Sequence, residues 1–197
     1  YLGTLEFKGN VAGSAESAEL EGNFNSDIGS LYTQLKVSGL QDNLNYSGKL
    51  ELKQFNIAEY YQNQDLGVVT ANLEIEGSGT KLQDLELYFK GDIQECGLMG
   101  YTYRNITTDG TFKKQFYNGQ LQVQDANVQL DFDGQIDFST PAPILDFDLN
   151  LQQLNLSKIG IVEDPGDVIL EGEFHASLES LDINEMQGEL TGSNVSY

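Results

Sequence analysis

The sequence predicts an all-β protein, built as an elongated antiparallel β repeat structure. Apolar and polar residues alternate with a period of two along most of the chain, which places the apolar residues on one face of each strand. Helical patterns are scarce, and 21 glycines with only three prolines are typical of many strands joined by tight turns. Together these observations predict an antiparallel sheet with one apolar face and one wet face.

The alternating segments follow one another along the chain. Their apolar positions are Leu31, Thr33, Leu35 and Val37; Tyr46, Gly48, Leu50 and Leu52; Val69, Ala71, Leu73 and Ile75; Leu85, Leu87 and Phe89; Leu121 and Val123; alternate residues of 128–138; and Leu145, Phe147, Leu149 and Leu151. The residues between them are mostly Glu, Asp, Gln, Asn, Lys and Ser, so each segment is predicted to be a strand with one wet face.

Turns and one short helix are predicted between these segments. A single helical turn is expected at residues 57–62. The dipeptides that predict turns are Ser78-Gly79, Asp109-Gly110 and Asn118-Gly119. The three prolines, Pro141, Pro143 and Pro165, all fall in predicted connections.

The segment QLDFDGQIDF, residues 129–138, offers a choice between a strand and a calcium loop. A calcium loop needs several oxygen ligands that converge on one ion and usually ends in a bidentate glutamate. No such glutamate follows Asp137, and the alternation is unbroken, so a strand is predicted. Four aspartates would form a carboxylate ladder that attracts calcium weakly if their strands are neighbours: Asp131, Asp133, Asp146 and Asp148.

An internal repeat relates two parts of the chain. GKLELKQFNI, starting at Gly48, aligns without gaps to FDLNLQQLNL, starting at Phe147, at an offset of 99 residues (147 − 48). Both copies change phase at the same point, after Leu52 and after Leu151, as a bulge or a strand end would require. The same offset pairs Gly67 with Gly166, Val69 with Val168 and Leu82 with Leu181, and a two-residue slip pairs Gly91 with Gly188.

This repeat predicts two tandem β modules. Leading strands are expected at residues 1–47, a first module at 48–146 and a second, truncated module at 147–197. The chain begins with Tyr1 rather than methionine and contains no apolar run of membrane-spanning length. We therefore expect it to be a piece of a longer protein.

Charge and cysteine content exclude several classes of function. The 31 acidic and 10 basic residues give a net charge of −21, which repels phosphate backbones and anionic headgroups. We therefore expect no nucleic-acid partner. Cys96 is the only cysteine, so the chain has no internal disulfide and no Cys-rich metal site.

No catalytic constellation is present in the sequence. His175 is the only histidine, and a triad requires a nucleophile and an acid that converge on it. Paired carboxylates are abundant, but the aromatic platforms of a glycosidase cleft are missing. Zinc-ligand spacing, phosphate-binding glycine loops and basic aromatic stripes are missing as well. We predict a non-enzymatic protein without a cofactor or a metal.

Two segments resemble the periplasmic repeats of the TamB and AsmA-like proteins of Gram-negative bacteria. The first is LNLQQLNLSKI at residues 149–159, and the second is GDVILEGEF at residues 166–174. The repeats of this family have short strands rich in Leu and Gly, followed by a turn and a further strand. The acidic, Asn- and Asp-rich composition with few arginines is similar to TamB-type proteins of the Bacteroidetes.

The resemblance implies a half-pipe, often called a β-taco, with an apolar concave face. Such proteins are similar to bridge-like lipid transporters, which are anchored in the inner membrane and cross the periplasm. This chain would then be a periplasmic segment that offers a hydrophobic groove for phospholipid transport between the inner and outer membranes, for outer-membrane protein assembly, or for both. An outer-membrane barrel of the TamA type would be bound by regions outside this chain.

The apolar side chains of the central and later strands are the predicted lining of this groove, in contact with phospholipid acyl chains. They are Leu73, Ile75, Leu85, Leu87, Phe89, Leu130, Phe132, Ile136, Phe138, Leu145, Phe147, Leu149 and Leu151.

Two alternatives remain open at this point. A non-catalytic structural or adhesive β module with a sealed apolar core would show the same alternation, because any sheet with one wet face does so. Glycan binding by surface tyrosines is the other, and the candidates for it are Tyr60, Tyr61, Tyr101 and Tyr103.

Overall fold

Twelve antiparallel strands form one continuous sheet in the computed structural model of the chain, which describes residues 3–40, 44–79, 81, 83–140, 142–163, 166–180 and 187–196. The strands are β1 (Glu6–Gly13), β2 (Ser17–Ser26), β3 (Gly29–Ser38), β4 (Asn45–Asn56), β5 (Leu66–Ser78), β6 (Glu86–Leu98), β7 (Tyr101–Lys113), β8 (Phe116–Gln124), β9 (Val128–Asp137), β10 (Ile144–Asn155), β11 (Ile169–Glu179) and β12 (Gln187–Ser196). Their order in the sheet is their order in the chain. The prediction of an all-β antiparallel structure is confirmed.

The segment QLDFDGQIDF is a strand, as predicted. All of it except Phe138 belongs to β9. Its partner residues confirm the alternation, because Phe132 lies opposite Leu121 and Leu149, whereas Asp133 lies opposite Gln120 and Asp148. The apolar and acidic residues of this segment therefore point to opposite faces of the sheet.

A bulge keeps the apolar residues of β4 on one face where the sequence changes phase. Leu52 and Phe55 are three residues apart, while their partners on β5, Ala71 and Val69, are two apart. One extra residue on β4 therefore restores the alternation, and Gln54 takes a left-handed conformation there, with φ of 50°. The pairing of β10 shifts at the equivalent place, after Leu151. The predicted irregularity is confirmed in both copies.

A five-residue helix, α1 (Ile57–Tyr61), follows β4 directly and packs against β5. Its position agrees with the helical turn predicted at 57–62. Asn56 caps the helix, because its side-chain oxygen accepts a hydrogen bond from the Glu59 N–H at 3.4 Å. Among the described residues no helix is long and apolar enough to cross a membrane.

The same asparagine cap follows β10, at the equivalent position of the repeat. Asn155 Oδ1 accepts a hydrogen bond from the Lys158 N–H at 3.1 Å. The backbone N–H groups of the two asparagines donate to equivalent carbonyls as well, Asn56 to Ile28 at 2.6 Å and Asn155 to Asn127 at 2.9 Å. The offset of 99 residues (155 − 56 and 127 − 28) therefore relates local structure as well as sequence.

Strand bounds follow the same offset. β3 and β4 return as β9 and β10 with the same lengths, shifted by 99 residues (128 − 29 and 144 − 45). Gly91 and Gly188, paired in sequence by a two-residue slip, lie opposite Leu73 and Leu178 and have φ of 153° and 130°. The predicted pair Leu82 and Leu181 lies outside the described residues.

The predicted module boundaries at 47/48 and 146/147 fall inside β4 and β10, and the sheet continues across both. The division of the chain into two modules at these boundaries stays a prediction. Of the three prolines, Pro143 lies in the connection between β9 and β10, as expected. Pro141 and Pro165 lie outside the described residues.

Two of the predicted turns are wrong. Asp109-Gly110 lies inside β7 and Asn118-Gly119 lies inside β8, and the two glycines are direct partners. A Cβ atom on Gly119 would lie 2.6 Å from the Gly110 Cα and 2.9 Å from the Tyr117 hydroxyl oxygen. The two glycines therefore let β7 and β8 pair closely beneath the Tyr117 ring. The chain turns instead at Lys114 and Gln115, which both have positive φ.

Large and small residues exchange places between the two copies of the repeat. Leu35 lies opposite Gly48 in the first copy, and Gly134 lies opposite Phe147 at the equivalent positions of the second. A Cβ atom on Gly134 would lie 2.3 Å from the Phe147 Cβ. Each pair therefore has room for one large side chain.

We expect Gly134→Leu to destabilise the fold by about 1–3 kcal/mol or more through overpacking, and Phe147→Gly to destabilise it by about 3–5 kcal/mol through lost burial. The double variant restores one large and one small residue, so its loss should be smaller than the sum of the two by at least ~0.5 kcal/mol. Urea unfolding of the four proteins measures this coupling. If the losses in free energy of unfolding of the two single variants add exactly in the double variant, positions 134 and 147 do not share one space.

Candidate functional site

One face of the sheet, here called the apolar face, carries apolar or small residues on every strand. Cross-strand partners share a face, so each row of partners across the sheet can be followed from β1 to β12. One row contains Gly9, Gly22, Thr33, Leu50, Leu73, Gly91, Thr108, Leu121, Phe132, Leu149, Phe174 and Gly192. The next contains Val11, Leu20, Leu35, Gly48, Ile75, Phe89, Gly110, Gly119, Gly134, Phe147, Ala176 and Leu190.

The structure brings the predicted lining residues together on this face. Those within strands are Leu73, Ile75, Leu87, Phe89, Leu130, Phe132, Ile136, Leu145, Phe147, Leu149 and Leu151. Leu85 lies just before β6, and Phe138 lies just after β9 with 44% of its surface exposed. Of the whole predicted set only Leu145 and Leu151 are fully buried, and the rest keep some contact with solvent.

Burial on the apolar face comes from neighbours within the same layer. The most buried positions are small residues, such as Ala71 and Ala176, with exposures of 1% and 0%. The main contacts between elements are those between adjacent strands. Thr33 is buried too, and its hydroxyl donates to the Lys49 carbonyl at 3.0 Å, so its polar atom is satisfied within the sheet.

Aromatic rings form a continuous line across the middle of the apolar face. The ring centroids of Phe89 and Tyr117 are 6.2 Å apart, those of Tyr117 and Phe132 are 6.3 Å apart, and those of Phe132 and Phe147 are 5.3 Å apart. These spacings lie within the range of favourable aromatic pairs. Burial among these neighbours raises the pKa of the Tyr117 hydroxyl.

One end of the apolar face is covered by the chain that follows β10. Ile159, in the turn after Asn155, packs with three buried residues: Ile106 in the middle of β7, Val123 near the end of β8 and Val128 at the start of β9. Tyr101 and Tyr103 pack against this cluster, so they are not a free tyrosine surface. Tyr60 and Tyr61, by contrast, are exposed on α1.

The opposite face, here called the polar face, consists of cross-strand ion pairs and hydrogen bonds. Lys90 on β6 contacts Asp109 on β7 at 2.7 Å, and Lys49 on β4 contacts Glu74 on β5 at 3.3 Å. The hydrogen bond from Lys90 lowers the pKa of the Asp109 carboxyl. Both pairs are exposed, so each contributes little stability, but they fix which residues meet across the strands.

Of the four aspartates that the sequence suggested as a carboxylate ladder, Asp133 and Asp148 lie directly opposite each other, and glutamine amides donate to Asp131, Asp133 and Asp146. Asp131 accepts hydrogen bonds from Gln122 at 2.7 Å and from Gln152 at 2.6 Å. Asp133 and Asp148 are direct partners, but Gln120 donates to the first at 2.9 Å and His175 contacts the second at 2.9 Å. Within the described residues no group of three or more potential ligands is placed to hold a metal ion.

The surface grooves lie mainly over the polar face. One groove of about 960 Å³ crosses β1 to β7 near one end of the strands, and another of about 740 Å³ crosses β6 to β10. The second is lined by polar side chains that include Lys90, Asp109, Asp131 and Asp133. Most large side chains of the apolar face stay partly exposed outside these two grooves.

The sequence prediction missed much of the apolar face. Residues of this face outside the predicted lining include Val11, Leu20, Leu35, Ile93, Phe112, Tyr117, Phe174 and Leu190. Glycine and threonine interrupt the apolar signal in these strands. The alternating segments already included Thr33, Leu35 and Gly48, but the predicted lining was taken from the central and later strands, so it stopped short of β1 to β4.

Comparisons with protein-family models, with curated proteins and with solved structures found no match to this chain.

Replacing a bridging glutamine by glutamate should destabilise the sheet in a pH-dependent way. In Gln122→Glu a second carboxylate faces Asp131, which we expect to lower the free energy of unfolding at pH 7 by about 0.5–1 kcal/mol. Repulsion raises carboxyl pKa values in the folded state, so the loss is present at neutral pH and disappears as the pH falls and the carboxyls protonate.

Urea unfolding at neutral and acidic pH measures this effect. Gln122→Glu in an Asp131→Asn background is the matched control and should cause a much smaller loss. An equal loss in both backgrounds would contradict the bridging role of Gln122.

Proposed function

We propose that the apolar face carries the acyl chains of phospholipids, and that the chain is a segment of a bridge-like lipid transporter of the TamB and AsmA-like type. The observation that carries this proposal is the continuity of the apolar face across all twelve strands, with most of its large side chains still partly exposed. A monomeric soluble protein rarely exposes so large an apolar surface without a ligand or partner for it.

The proposed shape is a half-pipe with the apolar face inside. Three consecutive glycines, Gly110, Gly119 and Gly134, lie in one row of this face. Small residues on the inner side of a bend leave room for the side chains that converge there, and glycine is common where strands bend sharply. The glycines of the apolar face leave room for curvature toward that face, whereas the two grooves over the polar face are the observation against it.

Charge supports the same assignment of the two faces. The net charge of −21 belongs mostly to the polar face, which repels anionic headgroups and keeps the outer surface hydrated. Acyl chains would lie on the apolar residues while headgroups stay in water at the margin. Movement along the face is passive in this proposal, since apolar contacts are non-directional and no chemical step is involved.

The resemblance of residues 149–159 and 166–174 to the TamB repeats extends the proposal to location and partners. We place the chain in the periplasm, as part of a protein anchored in the inner membrane. An outer-membrane barrel of the TamA type is the proposed partner of regions outside this chain. Outer-membrane protein assembly would use the same apolar face for unfolded client strands.

A structural or adhesive module with a sealed core is the competing function. It requires another layer over the apolar face, which would bury residues such as Phe132 and Phe147 completely. Partial exposure of most predicted lining residues favours the open face. An open apolar face would let lipid reach apolar-face positions but not their polar-face neighbours. A sealed core would let lipid reach neither.

Photo-crosslinking compares the two faces directly. A benzoylphenylalanine at Phe132 or Phe147 should capture a zwitterionic phospholipid, such as a short-chain phosphatidylcholine added below its micelle concentration. The same residue at Gln135 or Asp148, polar-face positions on the same two strands, should capture little. Mass spectrometry of the irradiated chain gives the yields. Equal capture on both faces, or none at either apolar position, would overturn the proposal.

A charge on the apolar face separates an open surface from a sealed core. In an open face the carboxylate of Phe147→Glu stays in contact with water, so the free energy of unfolding of this variant should match that of Phe147→Gln, which loses the same burial. Crosslinking at Phe132 should fall several-fold in Phe147→Glu. In a sealed core an unpaired charge costs several kcal/mol and would unfold the sheet. Gln135→Glu introduces the same charge on the polar face, where it faces Asp146 in place of the amide donor. We expect it to cost about 0.5–1 kcal/mol, to leave the chain folded and to leave lipid capture unchanged, as seen by circular dichroism and crosslinking.

A further inference from the structure

Burial on the apolar face is concentrated at one end of the strands. We call the end that carries the β8–β9 turn, residues 125–127, the covered end, and the end that carries the β7–β8 turn, Lys114 and Gln115, the exposed end. Of the nine buried apolar residues in the described part of the chain, Leu145 and Ala176 lie nearer the exposed end. The other seven lie in the half of the sheet nearer the covered end or in its connections: Ile28, Ala71, Ile106, Val123, Val128, Leu151 and Ile159.

Large side chains near the exposed end keep contact with solvent. Leu87 on β6, Phe112 on β7 and Tyr117 on β8 are all partly exposed, and Phe138 is 44% exposed. At the covered end, by contrast, Ile159 packs over the strands. A ligand of the apolar face can therefore enter at the exposed end, whereas Ile159 and the residues beneath it block the covered end.

A strip along β7 and β8 connects the two ends. The Tyr117 ring lies over two glycines of this strip, because a Cβ atom on Gly110 would be 3.0 Å from the Tyr117 Cε2 and one on Gly119 would be 2.9 Å from its hydroxyl oxygen. The ring therefore lies close to the backbone. Phe89 on β6 and Phe132 on β9 flank it, with ring centroids 6.2 and 6.3 Å from that of Tyr117. The strip thus offers a flat apolar floor between two aromatic side chains.

The length of this strip matches one acyl chain. From Phe112 near the exposed end to Ile106 beneath Ile159 there are six residues (112 − 106), or about 20 Å of strand at ~3.4 Å per residue. One leaflet of a bilayer supplies about 15 Å for its acyl chains, half of the ~30 Å hydrocarbon core. An acyl chain laid along β7 and β8 therefore reaches from the exposed end to the buried cluster.

Charged groups at the exposed end suit a zwitterionic headgroup. Lys113 pairs with Glu86 at 2.9 Å, whereas Lys114 is exposed and has no ion pair within the described part of the chain. A lysine ammonium is a point charge that binds phosphate well. Asp137, at the end of β9, offers a carboxylate for the headgroup amine. The covered end has the opposite character, since the β8–β9 turn contains the buried Asp125.

We propose that a zwitterionic phospholipid binds the apolar face in one orientation, with an acyl chain along β7 and β8, its methyl end at the Ile159 cluster and its phosphate at Lys114. This inference rests on the proposed function and adds to it the margin at which the headgroups stay. The reverse orientation would bring the phosphate to Asp125 and the apolar cluster, where like charge and lost hydration oppose it. Lipids that move along the sheet then keep their headgroups at the exposed end.

Two photoreactive phosphatidylcholines test the orientation. One carries a diazirine at the methyl end of an acyl chain, and the other carries it in the headgroup. Each is offered to the purified chain in phosphatidylcholine vesicles, which are removed by centrifugation before irradiation. Mass spectrometry of the digested chain then locates the labels. We expect the tail probe to label residues around Ile106 and Val123 and the headgroup probe to label residues 113–116, each with a several-fold preference for its own end.

A charge reversal tests the role of Lys114. In Lys114→Glu the carboxylate repels the phosphate, so labelling by the headgroup probe should fall several-fold, whereas Lys114→Arg should keep it. Lys53→Glu is the matched control, because Lys53 is an exposed lysine near the covered end and its replacement changes the net charge equally. It should label like wild type. Circular dichroism checks that all three variants are folded.

The outcomes separate this orientation from the proposed function. Headgroup labels at the covered end, or the same labelled residues for both probes, would overturn the orientation, while lipid capture at Phe132 and Phe147 would leave the proposed function standing. Equal losses of headgroup labelling in Lys114→Glu and Lys53→Glu, or no loss in either, would overturn the contact between Lys114 and the phosphate. If neither probe labels the apolar face, the orientation and the proposed function both fail.

Discussion

The strand register is the constraint on which the rest of the structure depends. Side chains alternate along every strand, so a slip of one residue between any two neighbours would move an entire strand's apolar residues to the polar face. The bulges protect against this error. Without the extra residue between Leu52 and Phe55, the end of β4 would direct its apolar side chains to the wrong face. The equivalent irregularity in β10 maintains the phase in the second copy.

Because the sheet is a single layer, each strand is stabilised mainly by its two neighbours. Stability then accumulates along the order β1 to β12, as in other repeat proteins whose units contact only adjacent units. This explains why large and small residues are matched locally. Leu35 with Gly48, and Gly134 with Phe147, fill equal space at equivalent places in opposite order. The repeat preserves the volume of a cross-strand pair and not the identity of each residue.

Much of this fold could be predicted from the sequence, because period-two alternation reports local backbone geometry directly. The strand at 129–138, the phase change after Leu52 and the short helix after Asn56 all follow from patterns within one or two elements. The turns assigned to Asp109-Gly110 and Asn118-Gly119 failed for a different reason. Gly110 and Gly119 are cross-strand partners beneath the Tyr117 ring, and a glycine that allows close approach of two paired strands has the same local sequence as a glycine in a turn.

The polar face could not be predicted for the same reason. Asp131, Gln122 and Gln152 lie on three different strands, and only the register brings the two amides to one carboxylate. Amide donors are needed there because 31 acidic residues outnumber 10 basic ones, so ion pairs alone cannot partner the carboxylates. The polar face thus stays strongly negative while amides or His175 contact the carboxylates that lie beside one another, including the direct partners Asp133 and Asp148. A single-layer sheet can then keep one face hydrated and the other apolar, which is the condition for offering an apolar surface while remaining in solution.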